Sequence, residues 1–348
     1  NDYLHRPTIT RPLCVRLHKT SQEISLQYSP IYPISQSEIP PWCLPLAQVN
    51  VELTILPKLT TSPAQFRVQY TDLVNRYLGA KILYTDGSKT EVGVGSSFVF
   101  GGSVCSWTLP PTTSIFTAEQ YAIWQALRFC EMTVDINQVL IVSDSLAVLS
   151  QLKDRNSHDP LNQMILTTLK LLLDCGKSIT FVWVPGHVGI EGNETADEAA
   201  RHAACETSID IDCIKVSDQK LIVNKVIREK WQNQWERTDT HLRRLKPVIK
   251  RWTPNLSLSR NEMVHLQRMR IGHTALTHAF LLLGQDAPMC ELCDAIITVH
   301  HILVECPKYS APRGQLCLPN DLKQCLTLPQ NYRNVLDFLK LIGLYWKL

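Results

Sequence analysis

Between residues 79 and 205 the chain alternates short β-prone apolar runs with segments of helical periodicity, and this alternation restricts the fold more than any other feature. "KILYTDG", "GVGSSFVFGG" and "SVCSWTLP" read as three consecutive strands. "TAEQYAIWQALRFCE" reads as a helix, with Ile123, Ala126, Leu127 and Cys130 on one apolar stripe and a capping box expected from Thr117 and Gln120. "QVLIVSDS" is a buried strand; "LAVLSQLK" and "LNQMILTTLKLLLDCG" are helices, the second ended by Gly176. "SITFVWVPGH" is the last strand and "NETADEAARHAACE" the last helix. Three strands, a helix, a strand, two helices, a strand and a helix require a mixed sheet with helices on its faces.

The flanks have a different character. Residues 1–65 are proline-rich ("YSPIYPISQSEIPPWCLP") and leave little room for long helices or paired strands, so they are expected to be a linker or the tail of a preceding domain. The chain opens on Asn1 rather than Met, which reads as a piece of something longer. A linking helix is expected at 66–78, where Phe66, Tyr70, Leu73 and Tyr77 recur at helical spacing behind Ser62 as N-cap and Pro63. The α/β domain then occupies 79–207. Residues 208–348 form a helical, basic region ending in a Cys/His cluster and an apolar helix over 335–344.

Composition sets outer bounds. At 348 residues, 45% apolar and 19% charged, the chain is long enough for two domains and is not of the disordered type. No signal peptide or membrane-length apolar run is evident, and most of the twelve cysteines are scattered singly, so a reduced, intracellular protein with no membrane partner is expected. The net charge of +3 conceals an asymmetry. Residues 79–205 carry eight Lys and Arg against thirteen Asp and Glu; from Glu206 onward there are twenty against fourteen. An acidic centre beside a basic region suits a metal site next to a polyanion-binding surface, although a basic stretch by itself also describes a solvated helix face.

The acids carry the chemistry. "LYTDGSKT" delivers Asp86 at the end of a β-prone run, followed at once by Gly87; this is either a hairpin turn or a fixed carboxylate. Three further acids stand where strands and helices should meet: Glu119 early in the first helix, Asp144 after "QVLIVS", and Asp197 in the last helix. Each has an ordinary explanation as a turn, cap or helix-end charge. Brought to one edge of a sheet they would repel one another, and divalent cations with oxygen ligands, Mg²⁺ or Mn²⁺, resolve that repulsion. Two cations on such a cluster are suited to in-line displacement at phosphorus.

"YTDGSKT…GVG", "FTAEQYAIWQAL", "IVSDSLAVLSQL" and "VWVPGHVGIEGNETADEAAR" resemble, in order, the type 1 ribonuclease H domain over about residues 79–205. The resemblance implies a ribonuclease H-like five-stranded mixed sheet with flanking helices. It also implies hydrolysis of the RNA strand of an RNA–DNA hybrid by two Mg²⁺ ions, leaving 5′-phosphate and 3′-hydroxyl ends. On the matching positions, Asp86 would bridge both ions, Glu119 and Asp144 would hold the ion on the leaving-group side, and Asp197 would hold the ion on the water side. His187, in "PGHVGIEG", matches the family's mobile histidine, thought to assist proton transfer or product release; Glu191 and Asn193 are supporting candidates at best. This chain departs from the family members that carry a basic, Trp-containing helix between the two middle helices, where it has only "DRNSHDP".

Cys290-x₂-Cys293-x₇-His301-x₄-Cys306 has the donors of a tetrahedral structural Zn²⁺ site; the alternative is a set of buried thiols, and His300 is the rival ligand. His301 is preferred because it stands about one helical turn before Cys306. The motif resembles the C-terminal Cys–Cys–His–Cys motif of non-LTR retrotransposon polyproteins, which implies a reverse transcriptase once fused ahead of this chain. Lys225, Arg228, Lys230, Arg243, Arg244, Lys250, Arg251, Arg268 and Arg270, with Trp231, Trp235 and Trp252 among them, either contact single-stranded nucleic acid or form an amphipathic bundle with Trp in its core. The alternative to a nuclease is a catalytically silent nucleic-acid-binding module of the same fold. An integrase or junction resolvase is disfavoured by the complete "GHVGIEGNETAD" loop.

Overall fold

A computed structural model describes residues 12–26, 30–32, 39–252 and 257–347; the remainder of the proline-rich start lies outside them. The chain divides into two compact units, residues 1–224 and 225–348. Among the described residues no helix is long and apolar enough to cross a membrane.

Unit one is built on a six-stranded mixed sheet. Its strands are β1 (Gln48–Asn50), β2 (Lys81–Lys89), β3 (Val94–Phe100), β4 (Ser103–Leu109), β5 (Gln138–Ser143) and β6 (Ser178–Trp183), in the order β1-β6-β5-β2-β3-β4. Strands β2, β3 and β4 form an antiparallel meander, while β2, β5, β6 and β1 run parallel. The architecture is the ribonuclease H-like α/β fold expected from the sequence, with one strand more.

The second face of the sheet is covered by a helix from ahead of residue 79. Residues 139–142 of β5 form an unbroken apolar run because both faces of the strand are buried. Val139 and Ile141 face Ile123 and Leu127 of α3 (Ile115–Met132) and Ile165 and Leu169 of α4 (Pro160–Asp174). Leu140 and Val142 point the other way, as the period of two requires, into a cluster with Phe66, Tyr70 and Leu73 of α2 (Pro63–Asn75). Helix α2 starts at Ser62 with a full capping box. Part of the segment expected to be a linker is thus structural: residues 48–50 extend the sheet. Following Pro12, Leu13–Glu23 forms a helix, α1.

One capping expectation is corrected. Helix α3 is capped by Ser114, one turn before the expected Thr117–Gln120 box. Thr117 instead donates to Asp218 at 2.8 Å, and Gln120 is buried against Gln151 and Lys215. The first compact unit runs on past residue 207 to residue 224. Lys215, 2% exposed, pairs with Asp159 at 2.7 Å, and Asp210 accepts from the Thr108 amide at 2.7 Å, so residues 208–224 pack with the sheet domain.

Unit two is helical. Helix α6 (Arg260–Ile271), with a Ser259–Glu262 capping box, and α7 (Tyr332–Leu341) share a core of Leu266, Met269, Leu303, Leu326, Val335, Leu336 and Phe338.

Candidate active site and metal clusters

Asp86 does not sit in a turn. It lies within β2, opposite Ser97 of β3, and the strand continues to Lys89. The parallel partner β5 leaves the ladder one residue earlier, at the pair Thr85–Ser143. Asp144, following Ser143, therefore emerges beside Asp86 where the parallel β2–β5 ladder ends, at the carboxyl end of β5, the side on which open α/β sheets bind ligands. Gly87 serves a different purpose from a hairpin glycine. A Cβ there would stand 2.5 Å from the Glu119 amide nitrogen, so only glycine lets α3 approach β2 this closely.

Asp86, Glu119 and Asp144 consequently offer carboxylate oxygens within 4.8 Å of one another. Burial, followed by the charges of Asp144 and Asp197, pushes Asp86 up to about 8. Burial and the charge of Asp86 raise Glu119 well above the ordinary carboxylate range, and burial raises Asp144. Glu119 Oε2 is buried with no hydrogen-bond partner. An orphaned carboxylate oxygen in a cluster that resists ionisation fits a divalent cation: the residues present suit the group the fold implies.

Asp197 is brought to a neighbouring cluster rather than to this one. It lies in α5 (Glu191–Ala203), and its acceptor atom groups with Glu194 and His187 within 4.8 Å. His187 Nδ1 is 3.7 Å from both Asp197 Oδ2 and Glu194 Oε2, and Arg201 pairs with Asp197 along the helix. Asp197 still acts on Asp86 and Glu119 through its charge. Asn193 is buried with Oδ1 unpartnered, and Glu191 is exposed and outside both clusters. Glu194 and Arg201 were not singled out in the sequence, although they stand three before and four after Asp197 on one helix face. Lys58 and Arg67, which donate to backbone carbonyls of the His187 loop, carried no local signal.

In unit two, Cys290, Cys293, His301 and Cys306 converge within 4.8 Å. Cys290 and Cys293 Sγ each lie 3.8 Å from Cys306 Sγ, far beyond disulfide length. That spacing fits the ~3.8 Å edge of a tetrahedron built on ~2.3 Å zinc–sulfur bonds. Two backbone devices bring the donors together. An Ala295 carbonyl accepts from the Cys290 amide at 2.8 Å, closing a tight Cys-x₂-Cys turn. Residues His301–Glu305 form a π-helical turn, in which Cys306 N bonds His301 O at 2.8 Å; this accommodates a spacing one residue longer than an α-turn. His301 Nε2 is buried without a partner, while Nδ1 lies 3.6 Å from Glu305, the kind of carboxylate that orients a ligating imidazole. His300 is half exposed, paired with Glu305, and outside the cluster. The His301 imidazole is the chief influence drawing the Cys290 thiol down to about 6.

The basic region resolves into distinct groups. Trp231, Trp235 and Trp252 line one cavity of about 730 Å³ with Lys246, Lys250 and Arg251. Arg244 is paired with Asp239, and Arg270, 1% exposed, stacks on the Trp252 ring at 3.9 Å.

The mixed six-stranded sheet with flanking helices belongs to the ribonuclease H-like α/β class of fold. Residues 79–205 match the family model described as RNase H, which covers the strands, helices and loop that carry Asp86, Glu119, Asp144, His187 and Asp197.

Proposed function

We propose that this protein is a ribonuclease that hydrolyses the RNA strand of RNA–DNA hybrids at internal phosphodiesters, leaving 5′-phosphate and 3′-hydroxyl ends. The observation that carries the reading is the convergence of Asp86, Glu119 and Asp144 within the segment that matches the RNase H family model. Asp86, Glu119, Asp144 and Asp197 would hold two divalent cations, Mg²⁺ or Mn²⁺, whose chemistry is to activate water and neutralise the departing oxygen. Asp86 is flanked by Glu119 and Asp144 and feels the charge of Asp197, so it is the acid suited to serve both ions. His187 stands on the open side of Asp197, in position to take up or deliver a proton. Choice of substrate rests on hybrid shape, with 2′-hydroxyls on one strand and phosphates on both.

The Cys₃His cluster would hold a structural Zn²⁺, and the Trp-lined cavity with Lys246, Lys250 and Arg251 would contact single-stranded nucleic acid. A ribonuclease H segment followed by a Cys–Cys–His–Cys cluster supports reading the chain as the C-terminal part of a retrotransposon polyprotein, once fused to a reverse transcriptase and acting inside the cell.

The test is Mg²⁺-dependent cleavage of a labelled RNA–DNA hybrid, with single-stranded RNA, duplex DNA and Asp86→Asn as controls. Loss of only the hybrid's RNA strand, abolished by the substitution, is expected. Hybrid binding by a folded protein without cleavage would replace the enzyme with a silent binding module.

A further inference from the structure

His187 occupies an unfavourable backbone conformation that the rest of the molecule must hold. Its φ is +59°, the left-handed region that non-glycine residues rarely enter. The carbonyls on either side of it are each held by a cation from outside the segment that matches the RNase H model. Lys58 Nζ donates to Gly186 O at 2.8 Å, and Arg67 Nη1 donates to Val188 O at 3.1 Å. Arg67 lies so tightly against the loop that a Cβ on Gly189 would meet its Nη1 at 2.8 Å. Below these contacts Val188 and Ile190 are buried with Phe66, Tyr70 and Leu73 of α2. On the other side, Glu194 Oε1 accepts from the Gly189 amide at 3.0 Å.

We infer that Lys58 and Arg67 are positioning residues for His187, and that the segment around 48–75 is a working part of the catalytic unit. The inference rests on the ribonuclease reading for its activity consequences only. A cation donating to a carbonyl makes a charge-assisted bond, stronger than a neutral one. The first bond restrains the peptide plane that enters His187 and the second the plane that follows Val188, so the backbone is held on both sides of His187, and with it the direction in which the imidazole leaves the backbone. The strained φ is thereby maintained without any contact to the ring itself, which leaves the ring able to move towards substrate.

The experiment uses the full chain and Lys58→Ala/Arg67→Ala, alone and with His187→Ala. Hydrogen exchange at the amides of residues 186–190 should rise in the double variant while the sheet stays protected. Unchanged exchange there would overturn the clamp whether or not the protein cleaves hybrids. In the cleavage assay, kcat should fall about ten-fold with KM unchanged, equivalent to misplacing one catalytic group. The same double substitution should cost nothing further once His187 is alanine, and Lys58→Arg should restore most of the rate. An equal loss in both backgrounds, or a loss confined to KM, would overturn the assignment to His187. Absence of hybrid cleavage by the unaltered chain would instead remove the ribonuclease reading and leave the exchange result to decide the clamp.

Discussion

Gly87 and Glu119 are locked together through backbone: a Cβ on Gly87 would stand 2.5 Å from the Glu119 nitrogen and 2.8 Å from the Ala118 carbonyl carbon. Neither obstacle is the end of a flexible side chain. Gly87→Ala should therefore separate β2 from α3 and cost about 1–3 kcal/mol, as overpacking does. Denaturant unfolding would measure it. Hybrid cleavage should fall more steeply than stability, because the displacement moves Glu119 away from Asp86.

Without a cation, the acid cluster should make stability fall with rising pH. Folded Asp86 loses its proton at about 8, against 3.8 for the ordinary side chain. Between those values the folded state binds more protons than the unfolded state, so stability declines across the window and levels above it. Divalent cations bind the ionised acids, so Mg²⁺ should raise Tm more at pH 8 than at pH 5, by roughly a few degrees. Asp86→Asn should flatten the pH slope. A cation-free Tm that rises between pH 5 and pH 8 would contradict the cluster's electrostatics.

The cysteine cluster should discriminate between two adjacent histidines. Only His301 reaches the thiols; His300 is half exposed and paired with Glu305. Purified protein should contain about one zinc per chain, with four protein donors. His301→Ala should lose it, whereas His300→Ala should retain it. Elemental analysis of the two variants decides the matter, and chelation should lower the unfolding temperature of residues 225–348 in the full chain.

The Trp-lined cavity of unit two should bind nucleic acid through charge and stacking. Neutralising Lys246, Lys250 and Arg251 together should weaken single-strand affinity and reduce the salt slope of log K by about two to three. Trp231→Ala, which removes an exposed ring from the cavity, should cost about 1–3 kcal/mol in that affinity with a smaller change in slope. Titrations at several salt concentrations read both effects. No change in either would return these residues to a purely structural role.

The sequence alone determined the element order of residues 79–205 and nominated every acid of the two clusters except Glu194. That information is local: apolar alternation, helical stripes and the capping and glycine signals are written within about a dozen residues. The same holds for the Cys-x₂-Cys pair and for the preference for His301, although the turn that makes its spacing work is π-helical. Local patterns also misled where a second plausible signal lay nearby. Asp86-Gly87 carries a turn signature inside a strand, and Ser114 capped α3 in place of Thr117.

Tertiary structure alone decided which of these groups meet. Asp86, Glu119 and Asp144 gather because the β2–β5 ladder ends at Thr85–Ser143 and Gly87 admits α3, whereas Asp197 turns to His187 and Arg201. It also decided that part of the supposed linker belongs to the sheet domain. Leu140, Val142 and Val182 leave an apolar face that something must cover, and no pattern within residues 79–205 says what. The cover proved to be α2, carrying Arg67, with Lys58 just ahead of it. Hydrogen bonds between residues more than a hundred positions apart depend on how surfaces pack, a property of the folded whole that no short stretch of sequence encodes.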